Sequence, residues 1–329
     1  MGEGAGGGGQ KKYGSRTDFA RPGANSLGYG LGIAPFLADS DVVGYFLCYN
    51  DLMNIPKRRL GKTGVDVAIL GLGGEGVLRT YGYETEAYDL INRAIDLGIN
   101  YFESARAYSG SESYYGRSLK ERREQIFLAS KSHARNKKGA LLHLQETLQN
   151  MKTDHLDLWQ VHDVRTKEEI EKIFGPKGAI EAFVEAKEKG LVRFIGVTGH
   201  HDPLITQQCL QQFDFDTVLI PVNPAEPAYK SYLSGVIPTA KQKGMGIIGM
   251  KVYFRGFADK LPWFETMEPF FRFALSQPIT TAVIGCDDLE QLEANVNSAG
   301  SFSAMTEKET QELIGRVSPF SRELMYYKP

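Results

Sequence analysis

Cysteine is scarce in this chain: three residues in 329, Cys48, Cys209 and Cys286, far apart, odd in number and without a Cys-x-x-Cys pair. That scarcity argues against a disulfide framework and a structural zinc site, and makes reducing cytoplasm the expected compartment. An excess of charge is also missing. Thirty-eight basic residues against 40 acidic ones leave a formal net charge of −2, so no global field would draw the chain to nucleic acid or to an anionic membrane. Long apolar runs are absent near the start as well. Val42 to Tyr45, followed by Phe46-Leu47-Cys48, is too short to span a bilayer, and no basic segment with a long apolar core precedes it. Neither export nor a membrane anchor is expected, and a small neutral or weakly charged molecule is the natural partner.

What is present, at 42% hydrophobic content, suffices for one large core. Residues 1–53 stand apart: they open on a glycine run, Gly6 to Gly9, and continue through Gly, Ser, Asn and Pro without sustained periodicity. They read as a flexible N-terminal extension or as an upstream in-frame stretch foreign to the native protein, with Met53 immediately before the point where patterned sequence begins. From there to residue 329, short aliphatic runs alternate with longer helical patterns, the signature of repeated βα units. Eight runs qualify: Val67 to Leu72, Asn100 to Glu103, Ile126 to Lys131, Leu156 to His162, Phe194 to Thr198, Thr217 to Val222, Gly246 to Met250 and Thr281 to Ile284. Between them lie stripes such as Ala87, Leu90, Ile91, Ala94 and Ile95, with Gly98 and Gly190 where helices should stop. Eight such units in one domain predict a closed (β/α)8 TIM barrel, with its chemistry on the loops at the carboxyl ends of the strands.

Gly71-Leu72-Gly73-Gly74-Glu75-Gly76 formally matches the GxGxxG fingerprint of an open dinucleotide-binding sheet. That motif needs a helix opening at its third glycine, yet Val77 to Tyr83 intervene before helical pattern resumes near Thr85. The stretch reads instead as a glycine-rich strand-exit loop.

The ends of the second, third and fourth runs carry Glu103 with Tyr108 close behind, Lys131, and His162. A carboxylate, a phenol, an ammonium and an imidazole therefore converge on one mouth. Carbonyl reduction needs a proton donor for the forming alkoxide, and a free tyrosine with a pKa of about 10 is a poor acid-base partner near neutrality. A cation beside it favours tyrosinate. Lys131 can supply that charge, Glu103 can hold the ammonium, and His162 can hydrogen-bond the substrate oxygen. Taken singly, each has a blander reading as packing, a solvated charge or a surface carboxylate.

These stretches resemble the aldo-keto reductase superfamily, whose second strand reads roughly Asp-Thr-Ala-x-x-Tyr, with lysine ending the third strand and histidine the fourth. The resemblance runs from Arg58 to Asn297 and includes Ser111-Glu112 with Gly116, Gly196-Val197-Thr198, and Val283-Ile284-Gly285 leading to Leu292-Glu293-Ala294-Asn295. It implies catalytic Tyr108, Lys131, His162 and Glu103, an NAD(P)H cofactor and a small carbonyl substrate. Glu103 replaces the family's aspartate, so its pairing with Lys131 must shift or repack. Arg106 brings a new cation near Tyr108, to lower its pKa or select an anionic substrate if it faces inward, and otherwise to face solvent.

The resemblance also implies the cofactor site. Thr198 and Asn223 fall in the carboxamide region, and Met250 with Lys251 at the nicotinamide face and pyrophosphate. Gly285, Cys286, Asp287, Gln291 and Asn295 fall around the adenosine. Relatives read Ser-Asn where this chain has Thr198-Gly199, and Met250 stands where many have a stacking tyrosine, although an ordinary core role fits it equally. Asp287 and Asp288, with no base nearby, lean the reading toward NAD(H), since carboxylates would repel a 2′-phosphate. The same residues also suit a helix N-cap, Asp288 with Gln291 or Asp287 with Glu290. His200-His201 lacks metal-ligand spacing, and no metal is expected. The aromatic stretch Tyr253 to Phe271 suggests a hydrophobic carbonyl pocket or packing of an outer helix. A regulatory, dinucleotide-sensing subunit with little turnover is the alternative to an enzyme.

Overall fold

The computed structural model describes residues 55–329. The expected extension over 1–53, and Cys48 within it, lie outside them. A small antiparallel ribbon comes first, β1 (Lys57–Arg59) with β2 (Asp66–Ala68). Eight parallel strands then follow: β3 (Leu70–Gly76), β4 (Tyr101–Glu103), β5 (Phe127–Ser132), β6 (Leu156–Val161), β7 (Val192–Thr198), β8 (Thr217–Pro221), β9 (Gly246–Met250) and β10 (Thr281–Cys286). They close in the order β10-β3-β4-β5-β6-β7-β8-β9, the predicted barrel.

The helices α1 (Glu84–Asp96), α2 (Ser111–Ser118), α3 (Lys137–Met151), α4 (Lys167–Phe174), α5 (Ala179–Glu188) and α6 (Pro203–Gln212) accompany the first strands. The chain finishes with α7 (Tyr232–Gln242), α8 (Glu268–Ser276), α9 (Leu289–Gly300), α10 (Glu307–Val317) and the single turn α11 (Ser321–Leu324). Side chains alternate across each strand, so the outward set packs on the helices and the inward set fills the barrel. The stripe read from α1 is buried as expected: Ala87, Leu90, Ile91, Ala94 and Ile95. Gly98 and Gly190 follow α1 and α5 with positive φ, the left-handed geometry that releases the chain from a helix.

Most strand ends fall within two residues of the sequence reading, and two departures go further. The run Val67 to Leu72 is divided, because its first half pairs with Lys57–Arg59 in the ribbon and only its second half enters the barrel. The glycine stretch is no exit loop either, since Gly71 to Gly76 lie inside β3. A β-carbon at Gly74 would collide with the Ser111 hydroxyl and the Glu103 carbonyl, and one at Gly76, whose φ is +67°, with the Cys286 carbonyl. The glycines thus answer to crowding from α2, β4 and β10, which a reading of turn residues does not reveal.

Inside the barrel, Leu60, Val67, Tyr101, Phe127, Leu158, Leu219, Ile248 and Val283 form a separate apolar cluster with Met250. Leu60, fully buried, closes its lower end against Gly246, where any side chain would overlap it. Leu60→Ala should therefore lower unfolding free energy by about 2–5 kcal/mol, measured by urea titration. A change below about 1 kcal/mol would mean the plug contributes little.

Candidate active site

Strand alternation carries the inward face upward from apolar to polar. Tyr101 and Glu103 share one face of β4, while Ala129 and Lys131 share one face of β5, with Glu103 opposite Ala129 and Lys131 opposite Gln160. The Lys131 ammonium, 1% exposed, lies 2.7 Å from Glu103 Oε1 and donates to the Ser104 carbonyl at 2.8 Å. Glu103 Oε2 accepts from the Tyr101 hydroxyl and from Gln160 Nε2, each at 3.2 Å. The longer acid therefore keeps a direct ion pair, with its second oxygen satisfied. Burial works against the Lys131 ammonium, but Glu103 and the Tyr108 phenol outweigh it and hold its pKa above the usual value.

Tyr108 stands just beyond β4, half-buried, with the Lys131 Nζ 4.8 Å from its ring centroid and the His162 ring edge-on at 6.0 Å. Burial raises its pKa and Lys131 pulls it back, with the net effect upward. The expectation of a net lowering is thus corrected: desolvation exceeds the cation's pull. Burial and Lys131 together hold His162 well below the usual imidazole range, so it is neutral near pH 7. Arg135 fixes the His162 and Asp163 carbonyls at 2.8 Å each, and Asp163 adopts a left-handed backbone, φ 52°. Lys251 does the same after β9, φ 56°. Strained non-glycine residues at two strand exits of one mouth mark it as the place to look for function.

The structure brings Glu103, Tyr108, Lys131 and His162 together. Its treatment of the dinucleotide residues is mixed. Thr198 is fully buried and its hydroxyl accepts from the Asp163 amide at 2.7 Å. Asn223 has both amide protons engaged, by the Lys251 carbonyl at 3.1 Å and the Tyr327 hydroxyl at 3.2 Å, while its oxygen accepts from Ala225 N. It braces the mouth and offers no free donor. Met250 belongs to the barrel-interior cluster. Lys251 Nζ has no carboxylate within 4.0 Å among the described residues, and burial pulls its pKa down to about 8. It lies 4.9 Å from the Tyr327 ring centroid.

Gly285 passes so close to Glu75 that a β-carbon would meet its backbone at 2.8 Å. Cys286 is buried, its thiol pushed up to about 12, and takes a long contact from Asn295 Nδ2, whose Oδ1 accepts from the Tyr253 hydroxyl at 2.7 Å. Asp288 caps α9 through Gln291 N at 2.8 Å, and Gln291 Oε1 accepts from Asp287 N at 3.0 Å. Of the two readings of this segment, the capping pair Asp288 with Gln291 is the one formed.

One further expectation is corrected, one open alternative is resolved and one residue is added. Arg106 faces neither the mouth nor open solvent; it pairs with Glu146 at 2.7 Å and with buried Glu112 at 3.7 Å, on α3 and α2. Phe254, Phe270 and Phe271 are core residues, with Trp263 packed against that core, so the aromatic stretch supports the outer shell. Besides Lys131, a second cation stands at Tyr108: Arg79, its guanidinium carbon 4.7 Å from the ring centroid, in a short segment that carries no periodic signal. Tyr101 and Gln160 were also missed, although each sits two residues before Glu103 or His162 on the same strand face. Among the described residues no group of three or more His, Cys, Asp or Glu is arranged to hold a metal, and no helix is long and apolar enough to cross a membrane.

A closed barrel with such a polar cluster at its carboxyl mouth has the form of an enzyme, and comparisons with known proteins give its class. A family model described as "Aldo/keto reductase family" matches residues 69–262. The chain belongs to the aldo/keto reductase family and is an oxidoreductase of that family. It is 26% identical over 302 residues to "Uncharacterized oxidoreductase YqkF" of Bacillus subtilis, covering 78% of this chain and 95% of that one. It is 27% identical over 223 residues to "Aldo-keto reductase yakc [NADP(+)]" of Schizosaccharomyces pombe, covering 62% and 63%. Among solved structures, the holo form of aldo-keto reductase AKR11C1 from Bacillus halodurans superposes with a TM-score of 0.68 at 22% identity, covering 80% of this chain and 96% of that one.

Removing the charge of Glu103 would strand a buried ammonium. Glu103→Gln should lose about 3–5 kcal/mol of stability in urea unfolding. A loss under about 1 kcal/mol would show that water reaches the pair.

Proposed function

We propose that this chain reduces an aldehyde or ketone to an alcohol, and runs the reverse, with Tyr108 as the proton donor and acceptor. One observation carries the reading: the Tyr108 ring stands 4.8 Å from the Lys131 ammonium and 6.0 Å from the neutral His162 ring, at the open end of a closed barrel. In this reading the substrate oxygen lies between Tyr108 and His162. His162 orients it as a neutral hydrogen-bonding group, and Tyr108 hands it a proton as negative charge develops. Lys131 stabilises the tyrosinate left behind, and Glu103, Tyr101 and Gln160 hold Lys131 in place.

A bound nicotinamide dinucleotide supplies the hydride. The chemistry of the donor set fits such a ligand: Lys251 and Arg255 supply positive charge beside β10, and His162 Nδ1 and His200 Nε2 are buried without hydrogen-bond partners among the described residues. Lys251 would face the pyrophosphate, Thr198 and His200 the carboxamide side, and Gly285, Asp287 and Gln291 the adenosine side. Asn223, Met250, Cys286 and Asn295 would shape the site from beneath. The lean toward NAD(H) now rests on Asp287 beside a segment without a base, because Asp288 is occupied as a cap. One relative's name carries NADP(+), and a Klebsiella pneumoniae aldo-keto reductase was solved with NADPH, so both forms belong in the assay. A cytoplasmic setting, proposed from cysteine usage, suits the buried free thiols of Cys209 and Cys286.

The direct test is loss of reduced-nicotinamide absorbance with para-nitrobenzaldehyde, using NADH and NADPH in parallel. Tyr108→Phe should lower kcat by about 10²- to 10⁴-fold while the dinucleotide Kd, read by fluorescence quenching, stays the same. Undiminished turnover by that variant would remove Tyr108 from the mechanism. Tight dinucleotide binding without turnover in wild type would favour the regulatory reading.

The pH dependence has a defined sign. Reduction needs the phenol, so its rate falls as pH rises through the Tyr108 pKa; oxidation needs the phenolate, so its rate climbs over the same range. Lys131→Met removes the charge that opposes burial, and the climb in alcohol oxidation should move to higher pH. An unmoved profile would show that Lys131 does not act on Tyr108.

A further inference from the structure

Arg79, the second cation at Tyr108, has hydrogen-bonding capacity that the described residues leave unused. Arg79 closes the short 3₁₀ turn Val77–Arg79 that leaves β3, and its side chain remains 37% exposed at the mouth. Its Nη1 meets Glu75 Oε1 at 2.8 Å, while Nε and Nη2 make no hydrogen bond to any described residue. A guanidinium offers five N–H donors in a planar fork that matches a carboxylate, and most of this fork is free.

Charge around the mouth is unbalanced in the same sense. Glu75 is shared, since Arg255 Nε lies 3.4 Å from its other oxygen. Lys251 adds a third cation without a carboxylate of its own among the described residues. The remaining acids nearby are occupied, Glu103 by Lys131 at 2.7 Å and Asp163 by Arg165 at 2.6 Å. Arg79, Arg255 and Lys251 therefore face one carboxylate. In the functional reading above, Lys251 and Arg255 serve the pyrophosphate, which leaves Arg79 beside the residue that would protonate the substrate. Of the aromatic stretch that would have argued for an apolar pocket, Phe254, Phe270 and Phe271 are packed into the core, while Phe257, Trp263 and Phe264 are half-buried.

We propose that the substrate carries a carboxylate a few bonds from its carbonyl carbon, and that Arg79 binds that carboxylate through its free Nε and Nη2 edge. The inference rests on Tyr108 being the proton donor. Arg79 selects substrate in this arrangement.

The test compares para-carboxybenzaldehyde with its neutral methyl ester, in wild type and Arg79→Gln. Wild type should favour the acid by about tenfold or more in kcat/KM, the difference lying in KM, as expected for a charge-assisted bidentate contact. In Arg79→Gln, kcat/KM for the acid should fall about tenfold or more and that for the ester less than about threefold. No preference in wild type, or an equal loss on both aldehydes, would overturn the proposal; the equal loss would assign Arg79 to the Tyr108 proton instead. Silence on both aldehydes counts against the carbonyl-reductase reading, and calorimetric titration with terephthalate then decides the anion site alone. Binding present in wild type and lost in Arg79→Gln upholds it, and equal or absent binding in both overturns it.

Discussion

The buried pair between Glu103 and Lys131 is the constraint from which the mouth of the barrel is built. Taking both charges out of water is expensive, and their attraction repays it only when geometry is good and the remaining donors and acceptors are met. Here Lys131 also reaches the Ser104 carbonyl, and Glu103 accepts from Tyr101 and Gln160. Ser104 is held in turn by Ser111 at 2.8 Å, at the start of α2. The pair therefore fixes the chain between β4 and α2, the segment that carries Tyr108. With the ammonium anchored, two electrostatic effects on that face follow: its pull moderates the upward shift that burial gives Tyr108, and its field adds to the burial that keeps His162 neutral.

A second buried pair organises the opposite rim. Lys328 and Glu226, both fully buried, meet at 2.7 Å, and Lys328 also donates to the Tyr229 and Lys230 carbonyls. Tyr327 joins this network by bonding Glu226 and Asn223. The last residues of the chain thus dock on the loop after β8 and engage the Asn223 amide that family resemblance had assigned to a ligand. Through the Lys251 carbonyl, Asn223 also steadies the left-handed residue after β9. One rim is governed by the β4–β5 pair and the other by the C-terminal pair, and the cations Lys251, Arg255 and Arg79 project between them.

Much of this was legible in the residues. The alternation of short aliphatic runs with helical stripes located all eight barrel strands, because period and length are local properties. Tyr108, Lys131, His162 and Glu103 were legible because a parallel barrel sends the carboxyl end of every strand to one face, so position along a strand suffices. Period two along β4 and β6 held the signal for Tyr101 and Gln160 as well, unused because both side chains are of types common in any core or surface. The glycines of β3 were misread as a loop because their cause is contact with α2, β4 and β10, far away in sequence.

What the sequence determined by itself is therefore the barrel and the four groups that meet at its carboxyl mouth, each following from local periodicity and one topological rule. What only the tertiary structure decided is the state and availability of those groups. It set the net upward shift of Tyr108, because desolvation depends on everything packed around a side chain. It engaged Arg106, Asn223 and Asp288 elsewhere, left the Nε and Nη2 edge of Arg79 without a hydrogen bond to any described residue, and left Lys251 without a carboxylate within 4.0 Å among the described residues. Which donors stay unpaired depends on partners brought together from distant parts of the chain.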